Sequence, residues 1–282
     1  MKFYSPLRYP GGKNRLSKFI ASICKTNDIS GHYIEPYAGG ASVALYLLFN
    51  GYVKEITIND YDRSIYAFWY SILYNTEQLC RKIKTVKINL NSWKKQKKIQ
   101  RFKNQEKDLL KLGFSTFFLN RTNYSGIING GAIGGQKQKG KYKLDCRFNK
   151  EELIDRIRFI ASHKKNIHIK NMDALKLVKR IKKEKNTIFY FDPPYYLKGP
   201  SLYMNYYEDE DHKKVSIEIK KIKNASWIVS YDNTTEIKKM YNNYPKKEYK
   251  LFHTAYSTRV GKEILIFSND LILPKIISLR VI

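Results

Sequence analysis

Seven short apolar runs, separated by helix-patterned stretches, constrain most strongly what this chain can fold into. They are Tyr33–Glu35, Ile56–Asn59, Ile167–Lys170, Thr187–Phe191, Trp227–Tyr231, Lys250–Tyr256 and Ile264–Phe267. Helical patterns lie at Ala41–Asn50, Ala174–Lys183 and Lys213–Ile222. Strands alternating with helices predict a mostly parallel sheet covered on both faces, since parallel neighbours need a crossover connection. The last two runs have only a short connection, so one of them is expected as an antiparallel edge or insertion. The rhythm breaks in the middle. Asn91–Lys111 reads as a basic helix with Trp93, Ile99, Phe102, Leu109 and Leu110 available for packing. Asn120–Gly140, rich in Gly and Asn, reads as a loop too polar for the core, and so long a loop usually has a function or is disordered. The expected organisation is a discontinuous α/β domain, residues 1–74 and 150–282, interrupted by a basic, mainly helical insertion over 75–149.

Composition narrows the function classes. With 282 residues, 43% of them hydrophobic, the chain can bury a core without staples and is too apolar to be disordered. Fifty-three Lys and Arg oppose 25 Asp and Glu, a net charge of +28. That excess points to a polyanionic partner, although a compositional bias toward Lys, Asn, Ile and Tyr also raises it. Cys24, Cys80 and Cys146 are widely separated and lack zinc-ligand or redox spacing, which fits a reducing compartment. Met1–Lys13 has no apolar h-region, and no run of 18 apolar residues occurs. The expectation is an intracellular, cytoplasmic protein with no membrane partner.

The sharpest chemical signal is Asp192-Pro193-Pro194-Tyr195, directly after the apolar run Thr187–Phe191. A residue before proline is pushed out of the helical region, and proline fixes φ. The product is a stiff turn presenting a carboxylate, a main-chain carbonyl and an aromatic face at a strand's carboxyl end. Two acceptors beside a flat face suit an exocyclic amino group on a planar base; an ordinary strand-ending turn is the alternative, since Asp-Pro is common there.

A second signal is Tyr33-Ile-Glu-Pro-Tyr-Ala-Gly-Gly-Ala-Ser42: strand, glycine turn, apolar helix. Glycines allow close backbone approach and the helix start offers free N–H groups. The dinucleotide pattern G-x-G-x-x-G is absent, which argues against hydride chemistry. Asp60 ends the next strand and Asp173 follows Ile167–Lys170, positions where an acid can hold a nucleoside or simply cap a helix. A third signal, Arg8-Tyr9-Pro10-Gly11-Gly12-Lys13, places a stacking ring and a cation beside glycines.

In this order and at these distances, the three motifs resemble the Dam-like (D12 class) DNA adenine-N6 methyltransferase family over nearly the whole chain. Tyr9–Lys13 looks like the family's aromatic-x-Gly-Gly-Lys. Glu35–Ser42 looks like Glu-Pro-Phe-x-Gly-x-Gly-Ser, with Tyr37 for Phe and Ala41 at the second Gly, while Gly40 supplies a glycine one position earlier. Asn120–Gly126 resembles Asn-Arg-x-x-Tyr-Asn-Gly of the family's target-recognition domain, with Ser125 for Asn.

The resemblance implies a Rossmann-like, seven-stranded fold that uses S-adenosylmethionine and no metal, with an inserted target-recognition domain. It implies a cofactor site at Tyr9, Gly12, Lys13, Glu35, Tyr37, Gly39, Gly40, Asp60, Asp173 and Asp192, and catalysis by Asp192, Pro193, Pro194 and Tyr195. It implies double-stranded DNA as partner, contacted by Asn120, Arg121, Tyr124, Ser125 and Gly126, with the adenine flipped out of the stack. The bases flanking the target would be chosen around Ile127–Gly135, where this sequence diverges from the family. Methylation of cytosine N4 or of RNA would use the same tetrapeptide and stays open on the residues alone. The chain has no room for a nuclease domain, so any restriction endonuclease partner would be a separate protein. The five histidines, His212 and His253 among them, receive no role. The lysines of Asn91–Lys111 read either as phosphate contacts or as a solvated face.

Overall fold

The structure is a computed structural model describing residues 3–8, 13–181, 185–197, 207–253 and 259–274. Its strands are β1 His32–Glu35, β2 Glu55–Asn59, β3 Ile167–Lys170, β4 Thr187–Phe191, β5 Ser226–Asp232, β6 Lys246–His253 and β7 Arg259–Phe267. They form a seven-stranded sheet in the order β3-β2-β1-β4-β5-β7-β6. β1 runs parallel to β2 and β4, and β4 parallel to β5. β7 is antiparallel to both β5 and β6, so the expected antiparallel element is a hairpin whose outer strand is β6. β7 begins at Arg259, ahead of its apolar run, because its polar first half is paired along β6. The end of the expected Lys250–Tyr256 strand lies outside the described residues.

The helices are α1 Ser17–Thr26, α2 Ser42–Phe49, α3 Arg63–Tyr74, α4 Thr76–Thr85, α5 Leu90–Arg101, α6 Leu109–Thr122, α7 Lys150–Ser162, α8 Ala174–Arg180, α9 Asp209–Lys220 and α10 Thr235–Met240. Among the described residues, none is long and apolar enough to cross a membrane. The chain divides into two compact units: residues 1–12 with 60–171, and residues 13–59 with 172–282. The stretch 75–149 lies in the first, together with α3, α7 and β3.

The second unit buries alternating faces of its strands. Phe189, Phe191, Trp227, Val229, Ile264 and Ile266 are all within 2% of complete burial and pack with Leu177 of α8 and Val215 and Ile219 of α9. Such side chains each contribute roughly 1.5–3 kcal/mol of transfer free energy. α9 starts earlier than its apolar pattern because Glu208 and Asp211 form a reciprocal capping box.

The first unit is built on aromatic packing, with Phe68 stacked on Phe117 at 5.9 Å and Phe148 edge-on to Phe117 at 5.4 Å. The expected single helix Asn91–Lys111 is two helices, α5 and α6. Asp108 starts α6 by accepting from the Lys111 amide, and Arg63 donates to the Lys103 and Glu106 carbonyls of the connection, each at 2.7 Å. Those bonds satisfy backbone acceptors that a continuous helix would have used internally. Phe102, at the end of α5, is exposed rather than packed. α6 also runs on to Thr122, so Asn120 and Arg121 stand on its last turn and not in the loop.

Candidate active site

In the sheet unit the strand order reverses between β1 and β4, and in an open α/β sheet the crevice outside the carboxyl ends at such a point receives the ligand. Glu35 is the last residue of β1 and Asp192 follows β4 directly, so the sequence-predicted acids are brought to that point. Beside them Asn59, the last residue of β2, is fully buried. Its Nδ2 donates to the carbonyls of Pro36 (2.8 Å) and Met172 (2.9 Å), and its Oδ1 accepts from the Met172 amide. One side chain therefore ties together the segments that carry the glycine turn and Asp173.

The turn itself is left-handed at Gly39 (φ 46°) and at Ala41 (φ 47°), the residue that precedes α2. A Cβ disfavours that conformation, which accounts for a glycine at the Ala41 position in the motif this segment resembles. Glu35 is buried. Its Oε1 accepts from the Tyr33 hydroxyl at 2.8 Å, while Oε2 has no hydrogen-bond partner. Burial raises its pKa to about 8, opposed by the Tyr33 bond and reinforced by Asp192. Tyr37 shares a hydrogen bond with the Tyr207 hydroxyl at 3.0 Å. Asp173 caps α8, its Oδ1 accepting from the amides of Leu175 (3.1 Å) and Lys176 (3.0 Å). Asp60, in the helical unit, accepts from the Asp62 amide at 2.9 Å. Both acids thus have the local backbone roles open to them on sequence grounds.

Asp192 is partly exposed, and its Oδ1 is held twice: by the Ser230 hydroxyl at 2.5 Å and by the Lys13 ammonium at 3.3 Å. Tyr190 in turn donates to Ser230 at 3.0 Å. Burial raises the Asp192 pKa; Lys13 and Ser230 oppose it and the Glu263 charge reinforces it. Lys13 is buried and lies 2.7 Å from Glu263 Oε2. Burial alone would depress its ammonium, but Asp192, Tyr249, Tyr195 and Glu263 outweigh that and hold its pKa well above the usual value. The Tyr195 hydroxyl donates to Glu263 Oε1 at 2.6 Å, its ring lies 5.3 Å from the Lys13 nitrogen, and Tyr249 also donates to Glu263. Tyr9 and Gly12 lie outside the described residues.

In the helical unit, Asn120 accepts from the Arg8 amide and donates to the Arg8 carbonyl, both at 2.7 Å, and to the Gly126 carbonyl at 2.8 Å. Gly126 (φ 76°) is where the chain passes Arg8: a Cβ there would come within 2.3 Å of the Arg8 carbonyl oxygen. Asn123 accepts from Trp93 at 2.6 Å and donates to the carbonyls of Ile127 and Ile128 at 2.8 Å each. These asparagines are buried and bonded at both ends of their amides, so a polar segment serves as structure. Tyr124 is exposed, and Ser125 is partly exposed with φ 54°. Arg121 is partly buried, with its Nε buried and unpartnered. Burial, followed by Arg8 and Arg156, lowers its pKa to about 10.

A family profile described as D12 class N6 adenine-specific DNA methyltransferase matches residues 9–255. The chain belongs to that family. Solved structures similar to the methyltransferase include two that illustrate the likeness. One is a conserved hypothetical protein of Streptococcus pyogenes: 8% identity, 85% of this chain and 88% of that one, TM-score 0.33. The other is the rRNA methyltransferase AviRa of Streptomyces viridochromogenes: 11% identity, 89% and 84%, TM-score 0.34. A comparison with curated proteins finds no match.

Sequence reasoning missed Asn59, which joins the segments of the glycine turn and Asp173, and also missed Ser230 and Glu263, which bond to residues of Asp192–Tyr195. Only Glu263 left a trace, as a carboxylate against the apolar run Ile264–Phe267. A charge beside a buried strand needs partners, and here they come from residues 13, 195 and 249.

Proposed function

We propose that this protein transfers a methyl group from S-adenosylmethionine to N6 of an adenine flipped out of double-stranded DNA. The observation that carries the reading is Asp192 at the carboxyl end of β4, with Oδ1 fixed by Ser230 and Lys13 and Oδ2 left for a substrate. The chain's residues fit the cofactor. Glu35 Oε2, buried without a partner, suits an ammonium group. Asp173 has both cap bonds on one oxygen, leaving the other for the cofactor's adenine, and Asp60 is assigned to its ribose by resemblance alone. Lys13, Tyr37, Gly39 and Gly40 complete the surround, with Tyr9 and Gly12 assigned by resemblance. When bound, the cofactor supplies a methyl group on a sulfonium, whose C–S bond breaks as the N6–C bond forms.

Asp192 and the Pro193 carbonyl accept the two N6 hydrogens, and the ring of Tyr195 stacks on the base within the turn stiffened by Pro194. Holding both hydrogens directs the nitrogen lone pair toward the incoming methyl carbon, so positioning and electrostatics supply the acceleration. Asp192 then takes the proton that the methylated amine loses. Extrusion of the base costs a few kcal/mol, least when protein contacts refill the gap. In the helical unit, Tyr124 and Ser125 are exposed enough to approach the duplex, and Arg121, with an unpartnered Nε among other arginines, suits a phosphate. Asn120 and Gly126 shape that segment.

The test is incubation with labelled S-adenosylmethionine and unmethylated double-stranded DNA, single-stranded DNA or RNA, followed by nucleoside analysis. Label in N6-methyladenosine from duplex DNA is expected. Label in N4-methylcytosine, or only with RNA, would overturn the base or the substrate.

A further inference from the structure

Asp232 and Glu263 are direct partners in the β5–β7 register. Two acids opposite one another on antiparallel strands repel, so such a pair costs stability unless each finds its own donors. Here donors to the pair come from the turn that carries Asp192–Tyr195 (Tyr195, Tyr196 and Leu197), from Lys13 and from Tyr249. Asp232 accepts from the backbone amides of Tyr196 (2.8 Å, Oδ1) and Leu197 (2.9 Å, Oδ2). Glu263, 1% exposed, accepts from the Tyr195 hydroxyl, Lys13 and Tyr249.

We propose that this cross-strand acid pair is the positioning device of the catalytic turn: Asp232 fixes the backbone just after the tetrapeptide, and Glu263 fixes the ring of Tyr195 through its hydroxyl while drawing Lys13 away from Asp192. The proposal rests on the reading that Tyr195 stacks on the target base. Pro193 and Pro194 stiffen the turn's φ angles but leave the tyrosine ring free to swing about its side-chain bonds. A buried carboxylate 2.6 Å from the ring hydroxyl removes that freedom. Lys13 sits closer to Glu263 (2.7 Å) than to Asp192 (3.3 Å), so Glu263 takes most of a charge that would otherwise compete for the acceptor of the N6 hydrogens. Neither acid touches the base in this arrangement, so both act through the turn.

The test is a double-mutant cycle on the full chain with Glu263→Gln and Tyr195→Phe, read by single-turnover methylation and by fluorescence of 2-aminopurine at the target position. Each single variant is expected to lose roughly tenfold in rate. Flipped-base fluorescence should fall, and cofactor affinity should stay within about twofold. The double variant should be no slower than the slower single one, because Glu263→Gln weakens, by loss of charge, the same bond that Tyr195→Phe removes. Tyr249→Phe, which removes a donor to Glu263 that lies outside the turn, should cost no more than about twofold. Additive losses, or an equal loss in Tyr249→Phe, would overturn the proposal by reducing Glu263 to general packing. Tyr195→Ala separates the two readings: undiminished activity in that variant would sink base stacking itself, whatever the cycle gives.

Discussion

Asp192 owes its direction to Ser230, a residue no motif contains. A hydroxyl bonded to a carboxylate is worth about 1.5–3 kcal/mol, and each 1.36 kcal/mol of barrier is about tenfold in rate. Ser230→Ala should therefore slow single-turnover methylation by roughly 10- to 100-fold while cofactor binding stays intact. A rate within twofold of the parent would show that Lys13 alone suffices to hold Asp192. Glu35 makes a second prediction at this scale. With its pKa near 8, the unliganded side chain holds a proton over most of the neutral range. An ammonium partner favours the ionised form, so binding S-adenosylmethionine should release that proton. Affinity should then rise as pH increases toward about 8 and fall once the cofactor's own α-ammonium loses its proton, with proton release measurable by calorimetry in buffers of different ionisation heat. A pH-independent affinity would exclude the Glu35 carboxylate as that partner. Folding carries the opposite sign. The folded pKa exceeds the ordinary 4.5, so the folded state binds the extra proton, and this group's burial costs more as pH rises from about 4.5 to about 8.

Element by element, the backbone explains where this sequence departs from its family's motifs. Ala41 and Ser125 both sit at positive φ, and the motifs have Gly and Asn there, the residues that tolerate the left-handed region best. Ser125 gives the cleaner test, because the buried methyl of Ala41 would be lost on change to glycine. Ser125→Asn should stabilise the helical unit by roughly 0.5 kcal/mol, a fraction of the ~1–2 kcal/mol left-handed penalty, read as a rise in denaturant midpoint. A lower midpoint would mean that the serine hydroxyl matters more than its φ. The strands were legible because short apolar runs bounded by turn residues have few other destinations. The α5–α6 break was not, since the bonds from Arg63 to the Lys103 and Glu106 carbonyls join residues about 40 apart. Asn120 and Asn123 misled for the same reason. Polar composition suggests a loop, but an amide with every donor and acceptor matched can be buried. The tetrapeptide and Glu35 stood out in the sequence as candidates; Asp232 did not, and Glu263 left only the trace of a charge beside an apolar run, because their partners lie in a strand register and in donors far away in sequence.

For the whole molecule, the +28 charge sets an electrostatic term whose distribution the structure begins to sort. On α5, Lys97 is not a free surface charge: its ammonium reaches the carbonyls of Ile128, Asn129 and Gly130, at 3.0 Å for Asn129, and lies 5.5 Å from the Trp93 ring. Lys94, Lys95 and Lys98 are exposed on the same helix. A DNA-binding role and a merely solvated role for these three differ in one measurable slope. Each lysine that neutralises a phosphate releases counterions, so the logarithm of affinity falls with the logarithm of salt by about 0.9 per contact. If all three face the duplex, changing them together to Gln should reduce the slope by roughly 3, weaken binding similarly for all DNA sequences, and leave the methylation rate at saturating DNA unchanged. Lys97→Met should behave differently. It frees the Ile128–Gly130 segment, so it should blur discrimination between DNA sites while changing the salt slope by less than one contact's worth. An unaltered slope in the triple variant would assign these lysines to solvent and move the phosphate contacts elsewhere on the basic surface.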